Sequence, residues 1–239
     1  MAIMLLVRHG RTRANAQGIL AGWTAGIGLD EHGQRQVERV ATRLAGTPVA
    51  TVMSSPLQRC QETALALVQS QESPPSLRTV EDLGECRYGG WTGRPLKELA
   101  TEPLWKDVQT RPSRVRFPDS ADFAGESMPQ MQQRAVSAVR TIDAEVSERH
   151  GPGAIWVAVS HGDVIKAVLA DAAGISLDHF QRLLVDPASV SIVRYAREQT
   201  FLVRTNDSGS DPVDLTALAA AAAASDADHA EVGGGAGTV

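Results

Sequence analysis

Two histidine–glycine pairs stand out for what they follow. Residues 3–7 (IMLLV) form an apolar run of strand length that ends on Arg8, His9 and Gly10. Residues 154–160 (AIWVAVS) form a second such run, and it ends on His161 and Gly162. Ligands of open α/β sheets sit outside the carboxyl ends of the strands, so both imidazoles fall where a site would form. A lone histidine at such a place is ordinarily a surface or satisfied core residue. The same dipeptide at two strand ends, once preceded by arginine, points instead to a shared site. Arg59 adds a guanidinium early in a predicted helix, whose N-terminal N–H groups favour an anion. Glu85, in LGECRYGGWTG, follows a further expected strand and on its own would read as an exposed loop carboxylate.

The elements that must carry these residues alternate between apolar runs and amphipathic stretches. Asp30 is the expected N-cap of a helix with Val37, Val40 and Leu44 on its buried stripe, ending at Gly46. Residues 51–54 read as a second strand. Ser55, Pro56 and Gln58 read as a cap, a first-turn proline and a capping-box partner, opening a helix toward Val68. Residues 77–80 read as a third strand. Ser127 and Gln130 repeat the capping-box pattern before a long helix ending near His150. A helix from Asp163 carries Val164, Ala167, Val168 and Ala172. Residues 189–195 and 201–204 read as two final strands joined by a tight turn. This pattern predicts an α/β fold, a three-layer α/β/α sandwich around a mostly parallel, roughly six-stranded sheet. Residues 85–126 differ: prolines, Trp91, Trp105 and several arginines with weak periodicity suggest an inserted cap. There is no internal repeat.

Composition narrows the classes. The chain has 239 residues, 43% of them hydrophobic, enough for one large α/β domain. No apolar run reaches the about 20 residues of a membrane span, and the N-terminal residues lack a basic region and a small-residue cleavage site. Two cysteines, Cys60 and Cys86, make no disulfide framework and are expected as free thiols. A cytoplasmic protein is the expectation. The net charge of −5 is concentrated at the end: residues 207–239 hold six acids and no Lys or Arg, leaving residues 1–206 near neutral. Without a basic face, nucleic acid is not an expected partner, nor is a membrane. The domain is assigned to residues 1–206, and the acidic, Ala/Gly-rich tail, with few large apolar groups, is expected to be disordered.

Taken together, LVRHGRT with Asn15 closing the motif, SSPLQRCQETA, the LGE at 83–85, GES at 125–127 and SHGDVIKAV resemble the histidine phosphatase superfamily, the phosphoglycerate mutase-like fold. The resemblance spans residues 3–206 in the family's order, and the combination is specific where RHG alone would be weak. It implies that His9 attacks phosphorus and becomes a phosphohistidine. Arg8 and Arg59 would bind phosphate and disfavour protonation of His9, since guanidinium forks suit phosphoryl oxygens. His161 would add a donor opposite, and Asn15 and the backbone near Gly22 a further edge. Glu85 would protonate the leaving oxygen and then take a proton from water, desolvated by Tyr88 and Trp91. Arg87, Tyr88 and Gly162 are the remaining expected substrate contacts. No metal or cofactor is implied, and the expected partner is a small phosphorylated substrate; a homodimer is the one protein association left open.

Three departures bear on specificity. Family members commonly have an acid after RHG where this chain has Arg11, which would make the pocket mouth more cationic. Thr12 and Ala14 replace the Ser and Trp of the mutase pattern, and Asp163 replaces its Asn. The leading expectation is a phosphomonoesterase. The alternative is a phosphoglycerate mutase-type phosphomutase, primed by bisphosphoglycerate, kept open by GESMPQM and the long cap. A third is an inactive phosphate-binding regulatory module, against which every core group is retained. Trp23 and Trp105 are expected in packing or pocket wall. His32, His150, His179 and His229 match no motif and are expected at the surface.

Overall fold

The first strand decides where the two cores lie. In the computed structural model, which describes residues 1–196, 199–209 and Gly233, β1 (Ile3–Arg8) sends Met4 and Leu6 to one face and Leu5 and Val7 to the other. All four are buried. Burying a side chain of this size contributes about 1.5–3 kcal/mol, so a strand apolar on both sides is held from both faces. The chain continues through α1 (Arg13–Ala16), α2 (Glu31–Leu44), β2 (Val49–Ser54), α3 (Gln58–Gln69) and β3 (Ser76–Thr79). Then come α4 (Leu96–Leu99), α5 (Pro103–Thr110), α6 (Met128–His150), β4 (Ile155–Ser160), α7 (Gly162–Ala172), β5 (Val190–Tyr195) and β6 (Thr200–Asp207).

The sheet order is β3-β2-β4-β1-β5-β6. The first four strands are parallel, and β5 and β6 are antiparallel additions at one edge. Leu5 and Val7 pack with Val37 and Val40 of α2 and Ala64 and Leu67 of α3. Met4 and Leu6 share the other core with Met131 and Val139 of α6 and Val164 and Val168 of α7. This is the three-layer sandwich expected. In the parallel β1–β4 pair Arg8 lies opposite Ser160, and the His9 N–H donates to the Ser160 carbonyl at 3.0 Å. His9 and His161 therefore leave the sheet side by side.

Local expectations were met unevenly. Asp30 caps α2, accepting from the Gly33 N–H at 2.7 Å, and Ser127 with Gln130 forms a complete capping box on α6. Ser55 is not the N-cap of α3: that residue is Leu57, with no side-chain bond, although Ser55 Oγ accepts from the Leu57 N–H at 3.3 Å while it engages His161 at 2.7 Å. The region 85–126 contains two helices, α4 and α5, too short to display an apolar stripe. Trp91 stacks on Trp105 and meets Phe117 edge-on, joining the cap to the main core. The last strand extends beyond 204 to Asp207, whose carboxylate binds Arg43 and Arg204 at 2.8 and 2.6 Å. The tight turn between β5 and β6 is closed by the Ala196 N–H donating to the Gln199 carbonyl at 2.8 Å; residues 197–198 and, Gly233 apart, residues 210–239 with His229 lie outside the described residues. Among the described residues no helix is long and apolar enough to cross a membrane.

Candidate active site

Gly10 lets β1 deliver His9 to its place. A Cβ on Gly10 would stand 2.6 Å from the Gly33 carbonyl oxygen and 2.7 Å from Val37 Cγ2, so only glycine lets α2 pack this close behind the imidazole. His9 is 3% exposed. Its Nδ1 lies 2.7 Å from the Gly10 carbonyl oxygen, an acceptor only, so Nδ1 carries the hydrogen. The lone pair of the neutral ring is then on Nε2, toward which Arg59 Nε–H points at 3.3 Å. Burial holds the His9 pKa well below the usual imidazole value, and the charges of Arg59 and Arg8 push the same way. The ring is thus a neutral base with its nucleophilic nitrogen turned toward guanidinium. Arg59 Nη2 donates to the Gly22 carbonyl at 2.9 Å, while its buried Nη1 has no hydrogen-bond partner among the described residues. A buried N–H of this kind is costly without an acceptor, and a phosphoryl oxygen would supply one.

Arg8 is fully buried, donating to the Val185 carbonyl at 2.8 Å. The N–H of Ala188, held at φ 58°, spans the Arg8 and His9 carbonyls at 3.1 and 3.2 Å. This left-handed alanine ties the entry to β5 to the end of β1. His161, the N-cap residue of α7, meets His9 edge-on with ring centroids 5.2 Å apart. Its Nε2 is 2.7 Å from Ser55 Oγ. Burial, then Arg59, lowers its pKa well below the ordinary value.

Glu85 completes the set. It is 4% exposed, and His161 Nδ1 lies 3.6 Å from its Oε2. Burial, reinforced by the nearby Asp163 carboxylate, raises its pKa to about 7, against the pull of Arg59. Its Oε1 accepts from the Cys86 N–H at 2.9 Å and from the Tyr88 hydroxyl at 3.4 Å. Tyr88 also donates to Asp163 Oδ2 at 2.7 Å. Asp163 is fully buried, with Lys166 Nζ 3.8 Å from its Oδ1.

A cleft opens on this group, lined by His9, Asn15, Gly22, Arg59, Glu85 and Leu96. Asn15 reaches it, though its Oδ1 is engaged by the Thr12 N–H and hydroxyl at 3.0 and 2.8 Å. Gly22, at φ 49° and pressed against Thr92, can only be glycine. Gly162 opens α7 and is buried. Other expected contacts lie elsewhere. Arg87 pairs with Glu81 at 2.8 Å and covers the Trp23 ring at 4.2 Å, away from the cleft lining. Arg11 is not an added cation at the mouth, because Asp30 pairs with it at 2.9 Å. Trp91 belongs to the cap's aromatic cluster, and Tyr88 alone of that pair touches Glu85. Of the four motif-free histidines, His150 and His179 are exposed and His32 is half-buried. Cys60 and Cys86 are free and buried.

Ser55, Asp163 and Trp23 adjoin His161, Tyr88 and Glu85 through contacts that local patterning does not give. Trp23 Nε1 donates to the Glu85 carbonyl at 2.6 Å, across 62 residues of sequence, a pairing no spacing rule could find. Gly233 makes further contacts of this kind: it lines the cleft, its N–H donating to Asp163 Oδ2 at 3.0 Å and its carbonyl accepting from Arg8 at 3.4 Å.

A family model, the histidine phosphatase superfamily (branch 1), matches residues 4–208. The chain belongs to this superfamily. A metal-independent phosphoserine phosphatase from Arabidopsis thaliana is 31% identical to this histidine phosphatase over 224 residues, 90% of this chain and 84% of that one. A 2,3-bisphosphoglycerate-dependent phosphoglycerate mutase from Thermoplasma acidophilum is 28% identical over 193 residues, 81% of this chain and 87% of that one. Among solved structures, Bacillus stearothermophilus YhfR superposes with a TM-score of 0.74 at 26% identity, covering 87% of this chain and 98% of its own.

Proposed function

We propose that this histidine phosphatase hydrolyses small phosphate monoesters through a phosphohistidine on His9. One observation carries the proposal: a buried neutral imidazole whose Nδ1 is tied to the Gly10 carbonyl faces Arg59 with its Nε2 lone pair, in the same cleft as a carboxyl raised to about 7. In the first step the Nε2 lone pair forms a bond to phosphorus while the bond to the ester oxygen breaks. The protonated Glu85 gives its hydrogen to that leaving oxygen. In the second step the Glu85 carboxylate takes a proton from water, the water oxygen bonds to phosphorus, and the P–Nε2 bond breaks to release phosphate. Arg8 and Arg59 supply the positive charge, and with His161 the donors, that the equatorial oxygens need. Asn15, Gly22 and the start of α7 at Gly162 border the substrate.

The mutase alternative is supported by the Thermoplasma relative but not by the cap. Of Arg111, Arg114 and Arg116, the arginines that would hold an acidic product, Arg111 pairs with Asp107 at 2.6 Å and Arg116 binds Gln130 at 3.0 Å. An inactive module is disfavoured because His9, Glu85 and Arg59 line one cleft, and the charge of the buried Arg8 acts on His9 beside it. Free buried thiols suit a reducing compartment, in keeping with a cytoplasmic location. The test is covalent trapping: quenched turnover of a labelled aryl phosphate should leave acid-labile, base-stable phosphate on His9, and His9→Ala should abolish both label and turnover. Turnover retained in that variant would defeat the proposal.

A further inference from the structure

The GES segment belongs to the motif set, yet none of its residues lines the cleft. Its local roles are clear for two of the three. A Cβ on Gly125 would stand 2.1 Å from the Phe117 carbonyl oxygen, so glycine permits the close crossing of the cap chain. Ser127 caps α6. Glu126, 8% exposed, does neither. Its carboxylate clasps Arg134 in a two-pronged pair, Oε2 to Nε at 3.0 Å and Oε1 to Nη2 at 2.6 Å. Oε1 also accepts the Arg87 N–H at 2.8 Å.

The other edge of the same guanidinium gathers the loop that bears Glu85. Arg134 Nη1 donates to the carbonyls of Asp82 and Gly84 at 2.7 and 2.9 Å, and Nη2 to the carbonyl of Glu85 itself at 3.0 Å. Three carbonyls from four consecutive residues converge on one rigid planar fork. Arginine alone among the side chains presents five donors in fixed geometry. The backbone N–H of Arg87 and its carbonyl, which accepts from the Glu126 N–H at 2.9 Å, pin the far side of the loop. Glu126 also offsets a cation that would otherwise favour the Glu85 anion.

We propose that Glu126 and Arg134 are a positioning pair that aims the Glu85 carboxyl at the leaving oxygen, without touching substrate themselves. This rests on Glu85 acting as the general acid. A purely structural pair would support all substrates equally. A pair acting through Glu85 matters where protonation of the leaving group matters: much for an alkyl ester, little for a nitrophenyl ester, whose oxygen leaves as a weak base.

The experiment measures kcat/KM for ethyl phosphate and 4-nitrophenyl phosphate with the full-length wild type, Arg134→Gln, Arg134→Lys, Glu126→Gln, Glu85→Gln and the double variant Glu85→Gln/Arg134→Gln. Arg134→Gln should lower the ethyl-to-nitrophenyl ratio about ten- to hundredfold, the scale of a displacement of about 1 Å in a catalytic group. Arg134→Lys, a single-point donor, should fall between it and wild type. In the Glu85→Gln background the Arg134 change should lower the ratio no further. If Arg134→Gln melts below the assay temperature, Glu126→Gln, which keeps the shape and the bond to the Arg87 N–H, carries the test with the same expected direction. Equal losses on both esters, or losses that add in the double variant, overturn the proposal. A Glu85→Gln enzyme with an unchanged ratio would instead strike at the general-acid assignment on which it rests.

Discussion

Glu85 must be protonated to act in the first step, and its pKa of about 7 makes this visible in a pH profile. Half the molecules carry the proton at pH ~7, and two units higher only about one in a hundred do, equivalent to ~2.7 kcal/mol of lost acid strength. The ratio of kcat/KM for an alkyl phosphate to that for 4-nitrophenyl phosphate isolates the effect. The second ionisation of the phosphate lies near pH ~6 and lower for the nitrophenyl ester, so both esters are dianions above about pH 7 and it does not shape the ratio there. His9 acts on both esters and cancels as well, its pKa being held well below the ordinary imidazole value by burial. The ratio should therefore fall about tenfold per unit above about pH 7. With Glu85→Gln it should be low and flat, since a positioned acid contributes about 10²–10⁴-fold. The assay is a stopped phosphate measurement from pH 5 to 9 in buffers of constant ionic strength. A wild-type ratio independent of pH, or one that breaks near the ordinary glutamate value, would refute the reasoning.

Other outcomes follow from named contacts. Asp163→Asn removes the carboxylate that, after burial, does most to hold the proton on Glu85; the alkaline limb for an alkyl ester should move to lower pH, which the same profile measures. Given 3-phosphoglycerate and bisphosphoglycerate, the enzyme should release phosphate faster than it forms 2-phosphoglycerate, because Arg111 and Arg116 are engaged by Asp107 and Gln130 within the fold; isomer outrunning phosphate would favour the mutase alternative. Gly233 competes with phosphate for Arg8, so ending the chain after Gly209 should lower KM for small esters about two- to tenfold, the worth of one hydrogen bond. A higher KM in that variant would mean that Gly233 helps to bind substrate.

Much of this was present in the order of residues. Apolar runs at 3–7 and 154–160 with no polar alternation can only be strands covered on both faces, so the layered sheet and the co-location of His9 and His161 followed from hydrophobic pattern and the rule that sites form at carboxyl ends of strands. Asp30 and Ser127 announced their helices because a cap is a local contact, written within three or four residues. What lay beyond the sequence is long-range. Ser55 reads as a helix cap, and only the fold brings His161, 106 residues later, onto its hydroxyl. Arg11 reads as an exposed cation until α2 brings Asp30 against it, and Arg87 as a substrate contact until Glu81 and Trp23 claim it. The high pKa of Glu85 comes from burial and from Asp163 on another helix, and the clasp of Arg134 on residues 82–85 needs α6 packed beside the loop. Strand and cap signals are short-range and leave a mark on neighbouring residues; charge pairing, desolvation and the aim of a catalytic carboxyl depend on which distant groups share a few ångströms, and only the folded chain decides that.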